Sequence, residues 1–375
     1  MCRFVFRVPS SIRKGRDALG DLNRKIRVLV VDDSAFVRRA IMRMFEESPE
    51  IEVIGVAANG ESAVALAKSL RPDVITLDVQ MPVLDGLSAL ELIMNECPAP
   101  VIMFSSLTGK GGEKTLKALE IGAVDFIDKS SAGGAMDIGA LARELTGKIK
   151  VAACVDLEKL HGSAHRREAA PPSPGKARSA GTDVVVIGTS TGGPPALQQV
   201  LSRLEPPPCP ILIVQHMPPG FTTSLAARLD RSSTLTVREA SDGETVLSGN
   251  VYVAPAGWHM RLRRKDGALQ VWLDPESGGH LHCPSVDALF ESAAEVCGSR
   301  SLGVVLTGMG KDGAAGARAI KKVGGRVVVE SEETAIVYGM PKAVAEAVCV
   351  DAAVPLYQVA DTIAGMVQGT ARAKR

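Results

Sequence analysis

Residues 183–196 read Asp-Val-Val-Val-Ile-Gly-Thr-Ser-Thr-Gly-Gly-Pro-Pro-Ala, and they predict a buried strand that turns sharply into a helix. The run from Val184 to Ile187 is apolar and β-branched, which is typical of a buried strand. Gly188 ends this run, and Pro194 or Pro195 suits the first turn of a helix, where proline's missing N–H is not needed. The stretch therefore predicts an α/β fold around it.

Ser190 lies on the predicted turn, where residues 188–192 fit the Gly-x-Ser-x-Gly nucleophile elbow. The amides of Thr191, Gly192 and Gly193 would point outward at a helix N-terminus, where negative charge is favoured. A glycine-rich turn with a capping serine explains the same motif equally well. A catalytic interpretation therefore depends on partners for Ser190 elsewhere in the chain.

The composition is that of a globular protein without a large charge imbalance. The 375 residues predict two or three domains, and 46% of them are hydrophobic while 23% are charged. Lys and Arg number 43 against 42 Asp and Glu, and the two signs are also nearly balanced from residue 182 onward. This balance argues against a nucleic-acid-binding function.

The cysteines and the apolar runs indicate the compartment. The seven cysteines are scattered without a Cys-x-x-Cys pair, which favours a reducing environment over a disulfide or zinc framework. No apolar run reaches the length of about 18 residues that a membrane span needs. Residues 1–25 are basic but lack the apolar core of a signal peptide. We expect a cytoplasmic protein with no segment inserted in a membrane.

Residues 26–150 alternate strand and helix patterns. Helical periodicity over residues 36–47 and 60–70 separates the first three strands. Five such units predict a doubly wound parallel sheet with the flavodoxin-like strand order 2-1-3-4-5. The predicted strands are Arg27–Val31, Glu52–Ala57, Val74–Leu77, Val101–Phe104 and Val124–Ile127.

Polar side chains follow four of these strands. Asp32 and Asp33 follow the first strand, Asp78 the third, Ser105 the fourth and Lys129 the fifth. The carboxyl ends of parallel strands share one sheet edge, so three carboxylates are expected to lie together there. Such an oxygen-only acidic site suits Mg²⁺, and the lysine and the hydroxyl could help to stabilise a phosphoryl group on a carboxylate.

These motifs resemble a response-regulator receiver domain, through residues 30–34, 77–82 with 85–86, and 126–129. The resemblance implies that a histidine kinase phosphorylates Asp78 and that Asp32 and Asp33 hold Mg²⁺ with it. It also implies that Ser105 and Phe126 form the phosphorylation switch. The sequence departs from the family at Ser130, where a proline is usual, so a cis peptide bond is less assured there.

The remaining chain divides into three parts. Residues 1–25 are expected to be a disordered extension, and residues 151–181 form a predicted linker rich in Pro, Ala and basic residues. Residues 182–375 form a second, Rossmann-like parallel α/β unit with a β-hairpin around residues 265–267. Its predicted strands are Asp183–Ile187, Pro210–Gln215, Leu235–Arg238, Val251–Ala254, Leu302–Thr307 and Arg326–Val329, with hairpin strands at Met260–Arg264 and Leu269–Leu273.

Two further strand ends in this second unit carry reactive side chains. His216 follows one strand, and Asp312 lies in a glycine-rich loop after another. A serine needs a positioned base to become a nucleophile, and a histidine backed by a carboxylate supplies one. Ser190, His216 and Asp312 therefore form a candidate triad, and the amide of Met309 joins Thr191, Gly192 and Gly193 as a candidate oxyanion donor.

The same loop permits a different class of function. Residues 308–313 read Gly-x-Gly-x-x-Gly after a strand, and the next strand ends at Glu330. This arrangement is typical of dinucleotide binding, in which the acidic residue holds a ribose. A receiver joined to a NAD-binding domain, or to a non-catalytic output domain, is therefore the alternative. It leaves Ser190 and His216 without a role.

The second unit resembles the chemotaxis protein-glutamate methylesterase family, through residues 188–193, 215–221, 284–287 and 307–313. The resemblance implies hydrolysis of glutamate γ-methyl esters on the cytoplasmic helices of chemoreceptors, often with deamidation of receptor glutamines. It implies the same triad and no cofactor for the esterase. Cys283 stands where relatives tend to carry a basic residue, and His280 and His282 are expected to be loop residues near the site.

Regulation follows from the two resemblances taken together. We expect the unphosphorylated receiver to pack over the strand edge that bears Ser190. Phosphorylation of Asp78 would then repack Ser105 and Phe126 and weaken that contact, which frees the site.

Overall fold

The computed structural model describes residues 24–105, 111–129, 138–162, 181–275 and 279–367. Within them, two parallel sheets, one of five strands and one of seven, are accompanied by a separate two-stranded hairpin. Two doubly wound α/β units were predicted from the alternation of strand and helix patterns, and this prediction is confirmed.

The first unit contains five strands in the order β2-β1-β3-β4-β5, as predicted. Each strand is parallel to its neighbours, so all five carboxyl ends lie at one edge. The elements are β1 Ile26–Val31, α1 Ala35–Glu46, β2 Ile51–Ala57, α2 Gly60–Leu70, β3 Val74–Asp78, α3 Gly86–Glu96, β4 Val101–Ser105, α4 Gly111–Ile121, β5 Asp125–Asp128 and α5 Ile138–Ala152.

The second unit contains seven parallel strands in the order β14-β13-β12-β6-β7-β9-β8. Its strands are β6 Val184–Thr189, β7 Ile211–Gln215, β8 Thr236–Glu239, β9 Asn250–Val253, β12 Ser301–Val305, β13 Arg326–Glu330 and β14 Ala352–Val354. Its helices are α7 Gly193–Leu201, α8 Phe221–Ser232, α9 Val286–Cys297, α10 Ala314–Lys322, α11 Met340–Ala347 and α12 Leu356–Val367. The hairpin strands are β10 His259–Lys265 and β11 Ala268–Asp274.

The strand order of the second sheet places the reactive loops in one crevice. From β6 the chain adds β7 on one side, whereas β12 lies against the other side of β6. The point where strand order reverses opens a crevice beyond the carboxyl ends of the strands, which is where open α/β sheets bind ligands. Ser190 follows β6 at this point.

Burial explains why the strands read as continuous apolar runs. Every residue of β6, β7 and β12 is buried. Parallel sheets carry helices on both faces, so both sets of alternating side chains need to be apolar. Thr189 and Gln215, at the ends of their strands, are buried but polar, and they form hydrogen bonds within the site described below.

The described residues cover only part of the predicted linker and little of the predicted N-terminal extension. The linker predicted over 151–181 is partly helical, because α5 continues to Ala152 and a short helix, α6, spans Leu157–Gly162. Its remaining residues from 163 to 180 lie outside the described residues, as do residues 1–23 of the predicted extension and Ser130. Lys159 of α6 bonds to the second unit, where its Nζ donates to the carbonyl of Glu332 at 2.6 Å.

The two units pack against each other through a shared apolar cluster. Leu116 and Leu119 of α4 belong to the same cluster as Leu197 of α7 and Leu225 of α8. At the rim of this contact, Arg228 of α8 forms an ion pair with Glu120 of α4, and its Nε donates to Oε1 at 2.7 Å. Among the described residues, no helix is both long enough and apolar enough to span a bilayer.

Candidate active site

Ser190 sits on a tight turn between β6 and α7 that its neighbours hold firmly. Its amide donates to the carbonyl of Thr307 at 3.1 Å, and its own carbonyl accepts from Gly193 N at 2.8 Å. Gln215 Nε2 donates to the same carbonyl at 2.9 Å. Gly192 has φ +77°, so a side chain at that position would be strained. The predicted elbow is therefore a real strand-to-helix turn.

His216 lies beside Ser190 because the two parallel strands end together. Thr189 of β6 pairs in register with Gln215 of β7, and the amide of His216 donates to the carbonyl of Thr189 at 3.1 Å. His216 Nε2 lies 2.8 Å from Asp312 Oδ2. The sequence placed these three residues at one sheet edge, and the structure brings His216 and Asp312 into direct contact there.

The other ring nitrogen of His216 is the one left for proton transfer. Nδ1 is buried and has no hydrogen-bond partner among the described residues. The described residues also include no hydrogen bond between the Ser190 hydroxyl and His216, and such bonds are often long until substrate binds. Because Asp312 holds Nε2, Nδ1 is the nitrogen that can serve as a base.

Asp312 is held as a carboxylate by the N-terminus of α9. Its Oδ2 accepts from Val286 N at 2.7 Å, and its Oδ1 accepts from Asp287 N at 2.9 Å and from the Ser285 hydroxyl at 3.0 Å. Burial acts to raise the pKa of Asp312, but the hydrogen bond and charge of His216 and these amides outweigh it and hold the pKa well below the usual range. Asp312 therefore stays ionised behind the imidazole.

Asp287 makes the reciprocal contact at the next helix. Its Oδ1 accepts from Gly313 N at 2.9 Å and from Gly316 N at 2.7 Å, at the N-terminus of α10. Each of the two helices is thus capped by an aspartate from the other's segment. Burial, with the charge of Asp312, raises the pKa of Asp287. The sequence carries no signal of this role, because the pairing joins segments that are far apart in the chain.

The glycine-rich loop after β12 serves the serine rather than a dinucleotide. A Cβ added at Gly308 would lie 2.8 Å from Ser190 Cβ and 2.4 Å from Met340 Sδ, so the loop approaches the elbow too closely for a side chain. Glu330, the expected ribose partner, is fully buried and accepts from Thr307 N at 2.8 Å and from the Thr334 hydroxyl at 2.9 Å. Both of its oxygens are occupied inside the protein, which disfavours the alternative.

The candidate oxyanion donors differ in availability. The amide of Gly193 already donates to Ser190 O, which leaves the amides of Thr191, Gly192 and Met309 as candidates. Met309 lies on the loop after β12, and its side chain is 39% exposed. These three amides come from the two loops that flank Ser190.

His282 contacts the candidate base directly. Its ring stacks on that of His216 with 4.3 Å between centroids and 26° between planes. Burial, together with the charge of His216, lowers the pKa of His282 to about 4. The sequence predicts that His282 is a loop residue near the site. It does not predict the stacking on His216, because nothing in the spacing of the residues indicates it.

The acidic edge of the first sheet assembles the predicted second site. Asp32, Asp33 and Asp78 each offer an oxygen atom within 4.8 Å of the others. Lys129 Nζ lies 2.6 Å from Asp32 Oδ2 and 2.7 Å from Asp78 Oδ2. Burial raises the pKa of Asp78, while the lysine opposes this shift. The Ser105 hydroxyl accepts from Thr115 Oγ1 at 2.7 Å.

The first unit also contacts the serine loop. The Thr191 hydroxyl donates to Asp125 Oδ2 at 2.5 Å, and the ring of Phe126 lies 4.5 Å from that of Phe221 on α8. A Cβ added at Gly147 of α5 would lie 3.4 Å from the terminal methyl of Met309. Residues of β5 and α5 therefore cover the edge that holds Ser190.

Comparison with known proteins gives the same division of the chain. Residues 185–363 match the family model described as CheB methylesterase, and residues 28–137 match the model described as response regulator receiver domain. A Geobacillus kaustophilus protein named protein-glutamate methylesterase/protein-glutamine glutaminase is 44% identical over 346 residues, which cover 92% of this chain and 99% of that protein. A Thermotoga maritima protein of the same name shows the same identity and coverage.

A solved structure is similar to half of the chain. The crystal structure of the Thermotoga maritima CheB methylesterase catalytic domain is 45% identical, with a TM-score of 0.49. The match covers 50% of this chain and 100% of that one.

Proposed function

Because this chain belongs to the CheB methylesterase family, we propose that Ser190, His216 and Asp312 hydrolyse its ester substrate. The chain is a phosphorylation-regulated protein-glutamate methylesterase/protein-glutamine glutaminase of bacterial chemotaxis. The observation that carries the triad is the 2.8 Å contact between His216 and Asp312, directly after Gln215, which pairs with the residue before Ser190.

In the acylation step, the Ser190 hydroxyl attacks the carbonyl carbon of a glutamate γ-methyl ester. His216 Nδ1 takes the hydroxyl proton and then gives it to the departing methoxide, so that methanol leaves. Asp312 stabilises the imidazolium that forms between these two transfers. Its own low pKa means that it accepts no proton near neutral pH.

The tetrahedral intermediate needs donors aimed at its oxyanion. We assign this role to amides among Thr191, Gly192 and Met309, and each such donor is typically worth about 10²–10³ in rate. In the second step, water activated by His216 releases the glutamate carboxylate and restores the Ser190 hydroxyl. A glutamine side chain passes through the same steps with ammonia as the leaving group.

The receiver supplies the regulation, and Asp78 is the proposed phosphorylated residue. Its carboxylate and those of Asp32 and Asp33 form an oxygen-only donor set that fits Mg²⁺. A bound Mg²⁺ would neutralise charge on the phosphoryl oxygens. Lys129, which contacts both Asp32 and Asp78, holds the reacting carboxylate in place and provides a second positive charge.

Access to Ser190 is the property that phosphorylation would change. In this structure β5 and α5 lie over the edge that holds Ser190. Asp125 bonds to Thr191 in the loop after Ser190, Phe126 contacts Phe221 of α8, and Gly147 lies beside Met309. Ser105 and Phe126 form the proposed switch between Asp78 and this contact. Repacking of Phe126 on phosphorylation would disturb its ring contact with Phe221, which weakens the interface and opens the site.

The partners and the boundaries follow from these assignments. The substrate is a methylated cytoplasmic helix of a chemoreceptor, the phosphodonor is a chemotaxis histidine kinase, and the working compartment is the cytoplasm. The receiver spans residues 26–150, and the catalytic domain begins at about residue 182.

The test is methanol release from methylated receptor by the full-length chain, with and without a phosphodonor. The wild-type protein should be slow without the phosphodonor and fast with it. Asp78→Asn is the matched control, because it keeps the fold but removes the phosphorylated carboxylate, and it should stay slow in both conditions. A variant that responds to the phosphodonor as the wild type does would show that Asp78 is not the switch.

A further inference from the structure

Few contacts fix the orientation of the imidazole ring of His216. Asp312 binds one edge of the His216 ring through Nε2, and Nδ1 at the other edge has no protein hydrogen bond among the described residues. One hydrogen bond at one edge restrains rotation of the ring about its Cβ–Cγ bond only in part. The flat contact with His282, 4.3 Å between centroids and 26° between planes, is the feature that restrains this rotation.

The loop that carries His282 is itself anchored beside the site. The ring of His280, two residues earlier, lies 5.2 Å from that of buried His259 at the start of β10. The carbonyl of Cys283 accepts from Gly257 N at 3.3 Å. The loop then enters α9, whose first amides bind Asp312. One short segment therefore holds both the carboxylate and the face of the imidazole.

His282 is uncharged near neutral pH, and this charge state suits its position against the proposed base, His216. The groups that face it are His216 from the end of β7, Asp312 from the loop before α10 and Lys148 from α5. Burial lowers the pKa of His282 to about 4, and His216 and Lys148 act in the same direction, although Asp312 acts in the opposite one. A second imidazolium would repel the one that forms on His216, whereas a neutral ring face attracts a cation.

We propose that His282 is a positioning residue for the hydrolysis, which holds the His216 ring so that Nδ1 is aimed at Ser190. This inference rests on the proposed function and adds a fourth side chain to the triad. His282 transfers no proton and contacts no reacting atom. Its part is to fix the orientation of the base, and a displacement of about 1 Å in such a group can reduce a rate about 100-fold.

The experiment uses the full-length chain, activated with a phosphodonor, and measures methanol release from methylated receptor. His282→Ala removes the stacked ring and should lower kcat about 10- to 100-fold with KM nearly unchanged. His282→Phe keeps a flat ring that cannot carry a proton, and it should retain kcat within about 3-fold of the wild type. Leu281→Ala is the matched control, because this neighbour in the same loop is 91% exposed, and it should leave both constants unchanged.

The outcomes separate a positioning role from the others. Rescue by phenylalanine supports positioning. A proton-transfer role would not be restored by a ring that cannot carry a proton, and a general defect in loop structure would change KM as well as kcat. A kcat of His282→Ala equal to that of the wild type would overturn the inference, and so would a His282→Phe variant as slow as the alanine variant. If Ser190→Ala is inactive while His282→Ala is fully active, the positioning role of His282 is wrong and the proposed function still stands.

Discussion

The hydroxyl of Thr191 donates a 2.5 Å hydrogen bond to the carboxylate of Asp125. Thr191 follows the proposed nucleophile, and Asp125 begins the receiver strand that continues into Phe126, the proposed switch residue. A single side-chain contact thus connects the regulatory sheet to the catalytic loop. It gives the repressed state a structural definition that single substitutions can test.

Asp125→Ala should raise the activity of the unphosphorylated full-length protein. A hydrogen bond to a charged group is worth about 1.5–3 kcal/mol, which is about 10- to 150-fold in an equilibrium constant. Its loss should therefore shift the closed–open equilibrium and raise basal methanol release by about 10-fold or more. The rate after full phosphorylation should not change, because the contact is already broken in that state. Equal basal rates in the variant and the wild type would mean that this contact does not hold the site closed.

The ion pair between Glu120 and Arg228 allows a charge-swap test of the same interface. Each partner is only about one-fifth to one-quarter exposed, so Glu120→Arg or Arg228→Glu alone places like charges together at the edge of the packed helices. Each single variant should raise the basal rate a few-fold, and the double variant should restore repression. If the double variant were as active as the sum of the two singles, the pair would not couple the two domains.

Val83 offers a prediction about stability rather than activity. It has φ +69° in a tight turn in which Leu84 N donates to the carbonyl of Pro82 at 2.9 Å, and its side chain is 74% exposed. A β-branched residue is strained in that region, whereas asparagine tolerates it. Val83→Asn should raise the free energy of unfolding of the receiver by about 1 kcal/mol in denaturant titrations.

A control for this substitution lies on a neighbouring strand. Val56 is also exposed, at 45%, but it belongs to strand β2, where it pairs with Val30 and has no positive φ. Val56→Asn makes the same chemical change without strain to relieve, so it should not stabilise the receiver. If both substitutions stabilised the receiver equally, the effect would come from replacing an exposed valine with a polar side chain and not from the backbone conformation at Val83.

Glu330 should make the stability of the catalytic domain depend on pH. Burial raises its pKa from 4.5 to about 7 in the folded state, although Thr307 N and the Thr334 hydroxyl partly compensate. A raised acid pKa stabilises the fold fully below the unfolded-state value, and this contribution is lost as the pH rises through about 7. The wild type should therefore lose up to about 1.4 kcal/mol per pH unit relative to Glu330→Gln between these values. Parallel stability curves for the two proteins would contradict this assignment.

The positions of the proposed receiver and triad residues could be predicted because most of these residues follow buried strands. Asp32, Asp78, Ser190 and His216 each come directly at or after the end of an apolar run, and parallel strands bring such ends to one edge. The strand-order prediction for the first sheet is confirmed by the pairing of β1 with β2 and β3. At these positions the local sequence pattern and the strand order are sufficient to predict which sheet edge the side chains lie at.

The features that were missed depend on contacts between distant segments. Helix α8 was not predicted, since its N-cap, Gly220, provides no side-chain cap, and its position depends on packing of Phe221 and Leu225. The stacking of His282, the reciprocal bonds of Asp287 and Asp312, and the contact of Asp125 with Thr191 leave no periodic signal in the sequence. Only the assembled fold brings these groups together.

The most direct test of the account is the rate of methanol release by phosphorylated Ser190→Ala on methylated receptor. Without the hydroxyl no acyl-enzyme can form, so we predict a loss of at least about 10³-fold, with the fold preserved. A variant that releases methanol at the wild-type rate would contradict the assignment of Ser190 as the nucleophile, and with it the mechanism proposed for this site.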